Sequence, residues 1–131
     1  MPVSTCWYNE EQQRTVLFRY EGITSWDQWF DAIDHGHQMM QSVDHPVHTL
    51  SDFTGVEELS MEKWIAQMPR LGMAVAAPPN LDLVVVAGLK GLPQQIANVF
   101  SNVYKKVHMV DTLEEGVALI EAREQEGLTL D

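Results

Sequence analysis

The sequence predicts an α/β fold: a hairpin strand followed by four successive strand–helix units, giving a five-stranded, mostly parallel sheet with helices on both faces. Three observations predict it. Val16, Phe18 and Tyr20 are apolar in alternation, the period of a strand. Leu83, Val84, Val85 and Val86 are apolar without interruption, the pattern of a parallel strand covered on both sides. Strand-like segments then alternate with helix-like ones, as parallel strands joined by right-handed crossovers demand.

Cys6, Trp7 and Tyr8 make a short first strand, and the polar stretch Asn9 to Gln13 turns the chain into a second, Arg14 to Tyr20. Gly22 ends that strand. Thr24 or Ser25 can cap the helix that follows, since Ser25 with Gln28 forms a capping box and Asp27 suits the positive end of the helix dipole. This helix runs to about Gln41. Trp26, Trp29, Phe30, Ile33 and Met40 share one stripe, opposite Asp27, Asp31 and Asp34. His37 lies on the apolar stripe at the edge of the core, and Gly36 weakens the helix by about 1 kcal/mol relative to alanine.

The next unit is the strand Val47 to Phe53, a turn at Gly55, and a helix capped by Ser60 with Met61, Trp64, Ile65 and Met68 on one side. Pro69 stops or kinks that helix, and Leu71 to Asn80 shows no usable period. Leu81 to Ala87 follows, the strand expected in the middle of the sheet. Gly88 and Gly91 mark its exit, and Ile96, Val99, Phe100 and Val103 form the apolar stripe of a third helix. Val107 to Val110 is the last strand. Thr112 with Glu115 makes a second capping box, ahead of a helix carrying Leu113, Val117 and Ile120, and the tail Gln125 to Asp131 reads as frayed. There is no internal repeat and no second domain, so residues 1–131 read as one domain.

At 45% apolar and 21% charged residues, the composition is that of a folded globular domain. The apolar run Leu83 to Ala87 is far shorter than the roughly 18 residues of a membrane span. The first ten residues carry no secretory pattern, and Cys6, the only cysteine, can close no intrachain disulfide and supports no thiolate zinc set. Both features point to the cytoplasm. With 19 acidic residues against 8 basic ones, the net charge of −11 repels nucleic acid and anionic lipid surfaces, and no nucleic-acid partner is expected.

Ligands of parallel α/β sheets collect beyond the carboxyl ends of the strands, an edge where Asp52, Thr54, Gly88, Lys90 and Asp111 would gather. Two carboxylates beside a lysine can hold a metal or a phosphoryl group. The same residues are also ordinary turn formers. His35, His37, His45 and His48 fall within fourteen residues, but positions 35 and 37 point about 200° apart on a helix, and His35 with Asp31 supplies only two ligands. No metal and no cofactor is expected. Neither a nucleophile elbow, a dinucleotide fingerprint nor a phosphate loop occurs, so nothing in the sequence indicates an enzyme. Trp26, Trp29 and Trp64 read as core.

The chain resembles the STAS-like group, the SpoIIAA-like fold of bacterial anti-sigma-factor antagonists. The residues concerned are the hairpin start, Gly22 to Thr24, the exit Asp52-Phe53-Thr54-Gly55 from the third strand, and the closing strand and helix at Val110 to Ala122. In such antagonists a serine preceded by aspartate, at the start of the helix after the third strand, is phosphorylated by a partner kinase. Here the matching pair falls on Ser60 and Met61, so the acceptor is missing in that register. A slip of one residue would make Ser60 the acceptor; a helix cap is its other reading.

The resemblance implies a non-catalytic protein-interaction or regulatory domain, with Asp52, Thr54, Ser60, Gly88, Lys90 and Asp111 as candidate binding residues. The alternative is a small-molecule or lipid-binding module of the lipid-transfer type, with an apolar pocket flanked by Met68, Leu71, Met73 and Val75. Self-association as a homodimer is expected, through the edge strand at Trp7 and Tyr8 or the apolar surface of Met73, Val75, Pro78 and Pro79.

Overall fold

The period-two pattern that predicts the hairpin also sets its register. A computed structural model describes residues 3–21, 26–56, 66–67, 69–70, 72–73, 79–90, 92–104 and 106–130. Strand β1 (Val3–Trp7) pairs antiparallel with β2 (Thr15–Glu21), placing Trp7 opposite Val16, Thr5 opposite Phe18 and Val3 opposite Tyr20. Asn9 organises the turn, its side-chain oxygen accepting the Glu11 and Gln12 amides at 3.0 and 3.2 Å. Strands β3 (Val47–Gly55), β4 (Leu81–Ala87) and β5 (Val107–Val110) then add in parallel, in the order β1-β2-β3-β4-β5. The result is the five-stranded, mostly parallel α/β sheet that the sequence predicts.

Because every strand lies beside its predecessor, right-handed crossovers all step in one direction and carry their connections over one face. Crossovers alone therefore cannot cover both faces. Helix α1 (Trp26–Gln41) packs on β1 and β2, over a core of Val16, Phe18, Tyr20, Met40, Val47, Phe53 and Leu81. Helix α2 (Leu92–Val103) joins β4 to β5. Helix α3 (Leu113–Leu130) follows the last strand, is bound by no crossover, and takes the opposite face over Leu17, Leu50, Leu83 and Val85, with Ile120 as its buried anchor. Thr112 caps it: its hydroxyl oxygen accepts the Glu115 amide at 3.2 Å.

Several expectations need correction. The middle strand is β3; β4 lies fourth, and its burial alternates, with Val84 and Val86 only partly covered because α1 sits over β1 and β2. The stretch Gln125 to Leu130 is helical, since Gln125 and Glu126 are good helix formers and Arg123 pairs with Glu126 one turn on. Residues 66, 67, 69, 70, 72 and 73 are also helical, so Pro69 does not end the helical conformation there. In α2 the expected buried stripe is partly wrong, because Val99 and Val103 are 61% and 67% exposed. The caps read at Thr24, Ser25 and Ser60, and the apolar positions Met61, Trp64, Ile65, Met68, Leu71, Val75 and Pro78, lie outside the described residues, as does Gly22.

Gly36 is more than a weak point in α1. It is buried, and a methyl group there would clash with the tip of the Phe18 ring, so the helix backbone rests directly on a β2 side chain. We expect Gly36→Ala to lower stability, since overpacking costs about 1–3 kcal/mol against roughly 1 kcal/mol gained in helix propensity. Urea denaturation checks this, and the loss should shrink when Phe18 is also changed to Leu. A Gly36→Ala variant more stable than the parent would show that α1 does not rest on Phe18.

Candidate functional site

At the carboxyl ends of the strands, a backbone irregularity and a carboxylate account for each other. Between β2 and β3 the register runs Arg19 to Asp52 and then Glu21 to Gly55, so β3 carries one extra residue. The amide of Thr54 leaves the ladder and donates to Asp52 Oδ1 at 3.0 Å, as does the Thr54 hydroxyl at 2.6 Å. Arg19, opposite in β2, brings its Nε to 3.5 Å from the second Asp52 oxygen. Asp52 itself is buried. Gly88 takes a left-handed φ of 83° at the exit of β4, where a Cβ would come 3.0 Å from the Thr54 backbone, and its amide donates to the Val110 carbonyl at 3.1 Å. Of the candidate residues, Asp52, Thr54 and Gly88 thus meet, together with Arg19, which the sequence reading missed. Lys90 and Asp111 stand exposed beyond β4 and β5, without a hydrogen bond or ion pair among the described residues. Ser60 lies outside the described residues.

A second polar cluster sits at the opposite, amino-terminal edge. The register from β3 to β4 runs Val47 to Leu81 and then Thr49 to Val84, so here β4 carries the extra residue. Its freed Leu83 amide donates to His48 Nδ1 at 3.2 Å. A backbone amide can only donate, so Nδ1 accepts, and the ring proton sits on Nε2 and is donated to Glu124 Oε1 at 2.7 Å. His48 is buried. Glu124 also receives Arg14 from the hairpin at 2.8 Å, while Arg123 forks onto Asp82 at 3.0 and 3.3 Å. Residues from β3, β4 and α3 are tied together through one imidazole, and Arg14, just before β2, joins them through Glu124. Position 48 shares a sheet face with Leu50, and that spacing of two within a strand was the signal available in sequence.

An aromatic cluster fills the space between α1 and the ends of β2 and β3. Tyr20 stacks on Phe53 with centroids 4.2 Å apart, and Trp29 meets both rings edge-on at 6.0 and 5.8 Å. Trp26 stacks on Trp29 at 5.1 Å, and the Arg70 guanidinium lies 3.9 Å from the Phe30 ring centre. The Tyr20 hydroxyl is buried with no hydrogen bond of acceptable geometry among the described residues. Burial pushes its ionisation far above the usual tyrosine range, an effect that the nearby Ser51 hydroxyl and Trp29 indole offset only in part.

The four neighbouring histidines separate. His35 is exposed, His37 is half-buried, His45 bonds the adjacent Pro46 carbonyl at 3.0 Å, and His48 is in the core. Among the described residues no group of three or more His, Cys, Asp or Glu side chains is placed to hold a metal ion, and no helix is long and apolar enough to cross a membrane. Cys6 is exposed on β1.

No protein-family model matches the chain, and no curated protein matches it. Among solved structures it is similar to an uncharacterized protein of the DUF3478 family with a SpoIIAA-like fold from Shewanella loihica PV-4, with a TM-score of 0.63 and 12% identity over 89% of this chain and 92% of that one. The chain has a SpoIIAA-like fold, as its resemblance to the STAS-like group implies. At that identity the likeness carries the fold alone.

The His48 cluster makes a measurable claim. Glu124→Ala should cost about 1–3 kcal/mol, because it leaves a buried imidazole N–H without an acceptor. Glu124→Gln, which keeps a carbonyl oxygen for the ring and loses only the exposed Arg14 pair, should cost roughly 1 kcal/mol or less. Equal losses for the two variants in urea denaturation would remove His48 as the tether of α3.

Proposed function

We propose that the chain is a non-catalytic protein-interaction domain, acting in the cytoplasm through the solvent face of α2 and the adjoining helical residues at 72–73. One observation carries this reading. Met73, Val99 and Val103 are 72%, 61% and 67% exposed, and they lie on neighbouring segments, since Gly72 abuts the Tyr104 hydroxyl at the end of α2. Exposed apolar groups gathered in this way mark binding surfaces. By contrast, Asp52, Thr54 and Arg19 at the carboxyl-end edge are spent on each other and on a local kink in β3.

A photo-crosslinking residue at Val103 should give a discrete product with a bound polypeptide in cells of the source organism, and Val99→Glu should abolish it. The same residue at exposed Ala118 of α3 is the control. No product at Val103, or the same products at both positions, would sink this reading.

A second reading has its own observation. The Tyr20 hydroxyl, without a hydrogen-bond partner among the described residues and on a ring packed against Trp29 and Phe53, suits a small apolar ligand with one hydrogen-bonding group. Native mass spectrometry of freshly purified protein would then show an adduct of defined mass that Tyr20→Phe weakens. Bare protein alone would refute it.

A further inference from the structure

The solvent face of α2 differs in chemistry from those of the other helices. Among its described side chains the exposed ones are Gln95, Asn98, Val99, Asn102 and Val103, which fall on one arc at helical spacing and include no charge. The solvent face of α1 carries Asp27, Asp31 and Asp34, and that of α3 carries Glu114, Glu115, Glu121, Arg123 and Glu126. A helix face meant only for water is normally charged. The difference extends beyond α2. Residues 71–81 and 91–104 are the two longest stretches of the chain without a charged side chain, and the contact between Gly72 and Tyr104 puts residues 72–73 of the first beside the end of α2 in the second.

From this we infer that the partner seated on the α2 face is a second copy of the same chain, packed across a two-fold axis with Met73, Val99 and Val103 at the contact. The inference rests on the interaction reading above and names the occupant of that surface. In a two-fold dimer each patch faces itself, so any charge within it meets its own sign. A chain of net charge −11 approaches its own copy at least cost where that charge is missing, and the described part of the α2 face is such a place, with more large apolar side chains exposed than the uncharged β1 edge. A partner of opposite charge would be steered to the acidic surfaces, where attraction is strongest, rather than to the neutral one. The polar groups on the face fit self-recognition too. Gln95, Asn98 and Asn102 each carry a donor and an acceptor in one amide and can pair with their own copies, which carboxylate or ammonium groups cannot do. Ser101 is not needed, since it spends its hydroxyl on the Asn98 carbonyl at 2.8 Å.

Sedimentation equilibrium of the full chain tests this. Twice the 14.9 kDa chain mass is expected, with the dimer tightening several-fold as salt rises, because screening relieves repulsion between two acidic bodies. An interface between opposite charges weakens under the same change. Asn98→Asp with Asn102→Asp, which barely alters shape, should weaken the dimer by about ten-fold or more. Val99→Glu with Val103→Glu should leave a monomer, with circular dichroism confirming that each variant is folded. A wild-type monomer at every concentration and salt level overturns the inference, as does a dimer that these variants leave intact. If a wild-type monomer still crosslinks from Val103 to another polypeptide, self-pairing is wrong and the interaction domain stands; if no product forms either, both are wrong.

Discussion

At Gly36 the backbone of α1 meets the Phe18 ring, and at Gly116 the backbone of α3 meets Leu50 and Val85, so neither helix has room for a methyl group at its point of contact. The remaining geometry is suspended from these two close approaches. With α1 pressed onto β2, Trp29 in its first turn reaches Tyr20 and Phe53 at the strand ends, and Trp26 stacks on Trp29. With α3 pressed onto β3 and β4, Ile120 is buried one turn past Gly116, and Glu124 one turn further on reaches His48. Both faces of the sheet are closed, although the sequential strand order gives the crossovers only one of them.

Two one-residue irregularities place the polar groups. A ladder that gains a residue leaves an amide without its strand partner, and a buried amide must be satisfied elsewhere. In β3 the Thr54 amide goes to Asp52, and in β4 the Leu83 amide goes to His48. The β4 bulge also explains why Leu81 packs with the α1-side core while Leu83 and Val85 pack under α3, although all three are spaced by two. Both clusters are consequences of strand geometry, and each holds its side chains in structural bonds.

These features decide what could be read from the sequence. Period-two alternation over Val16, Phe18 and Tyr20 is a backbone property, and it set the hairpin register. Thr112 and Glu115 marked the start of α3 because a cap is local chemistry. The uninterrupted run Leu83 to Val86 marked a strand but not its rank in the sheet, since rank follows from the direction of the crossovers. Bulges leave no local signature, so His48 read as one of a histidine group when it is a buried tether, and Arg19 was passed over. Asp52, Thr54 and Gly88 were legible as an edge cluster because strand ends converge by topology; Lys90 and Asp111, at the exits of β4 and β5, stay apart from it. Gly36 read as a helix defect because propensity is local and the Phe18 contact is not.

The distribution of charge links this architecture to the proposed role. The proposed self-association rests on an acidic chain whose described α2 face is uncharged and partly apolar. A nuclear Overhauser experiment on a mixture of isotope-labelled and unlabelled protein, filtered for contacts between chains, tests that most directly. The account predicts contacts between chains from the Val99, Val103 and Met73 methyl groups, and none from Cys6 or Tyr8 on the β1 edge. Contacts confined to β1, or no contacts between chains at any concentration, would contradict it.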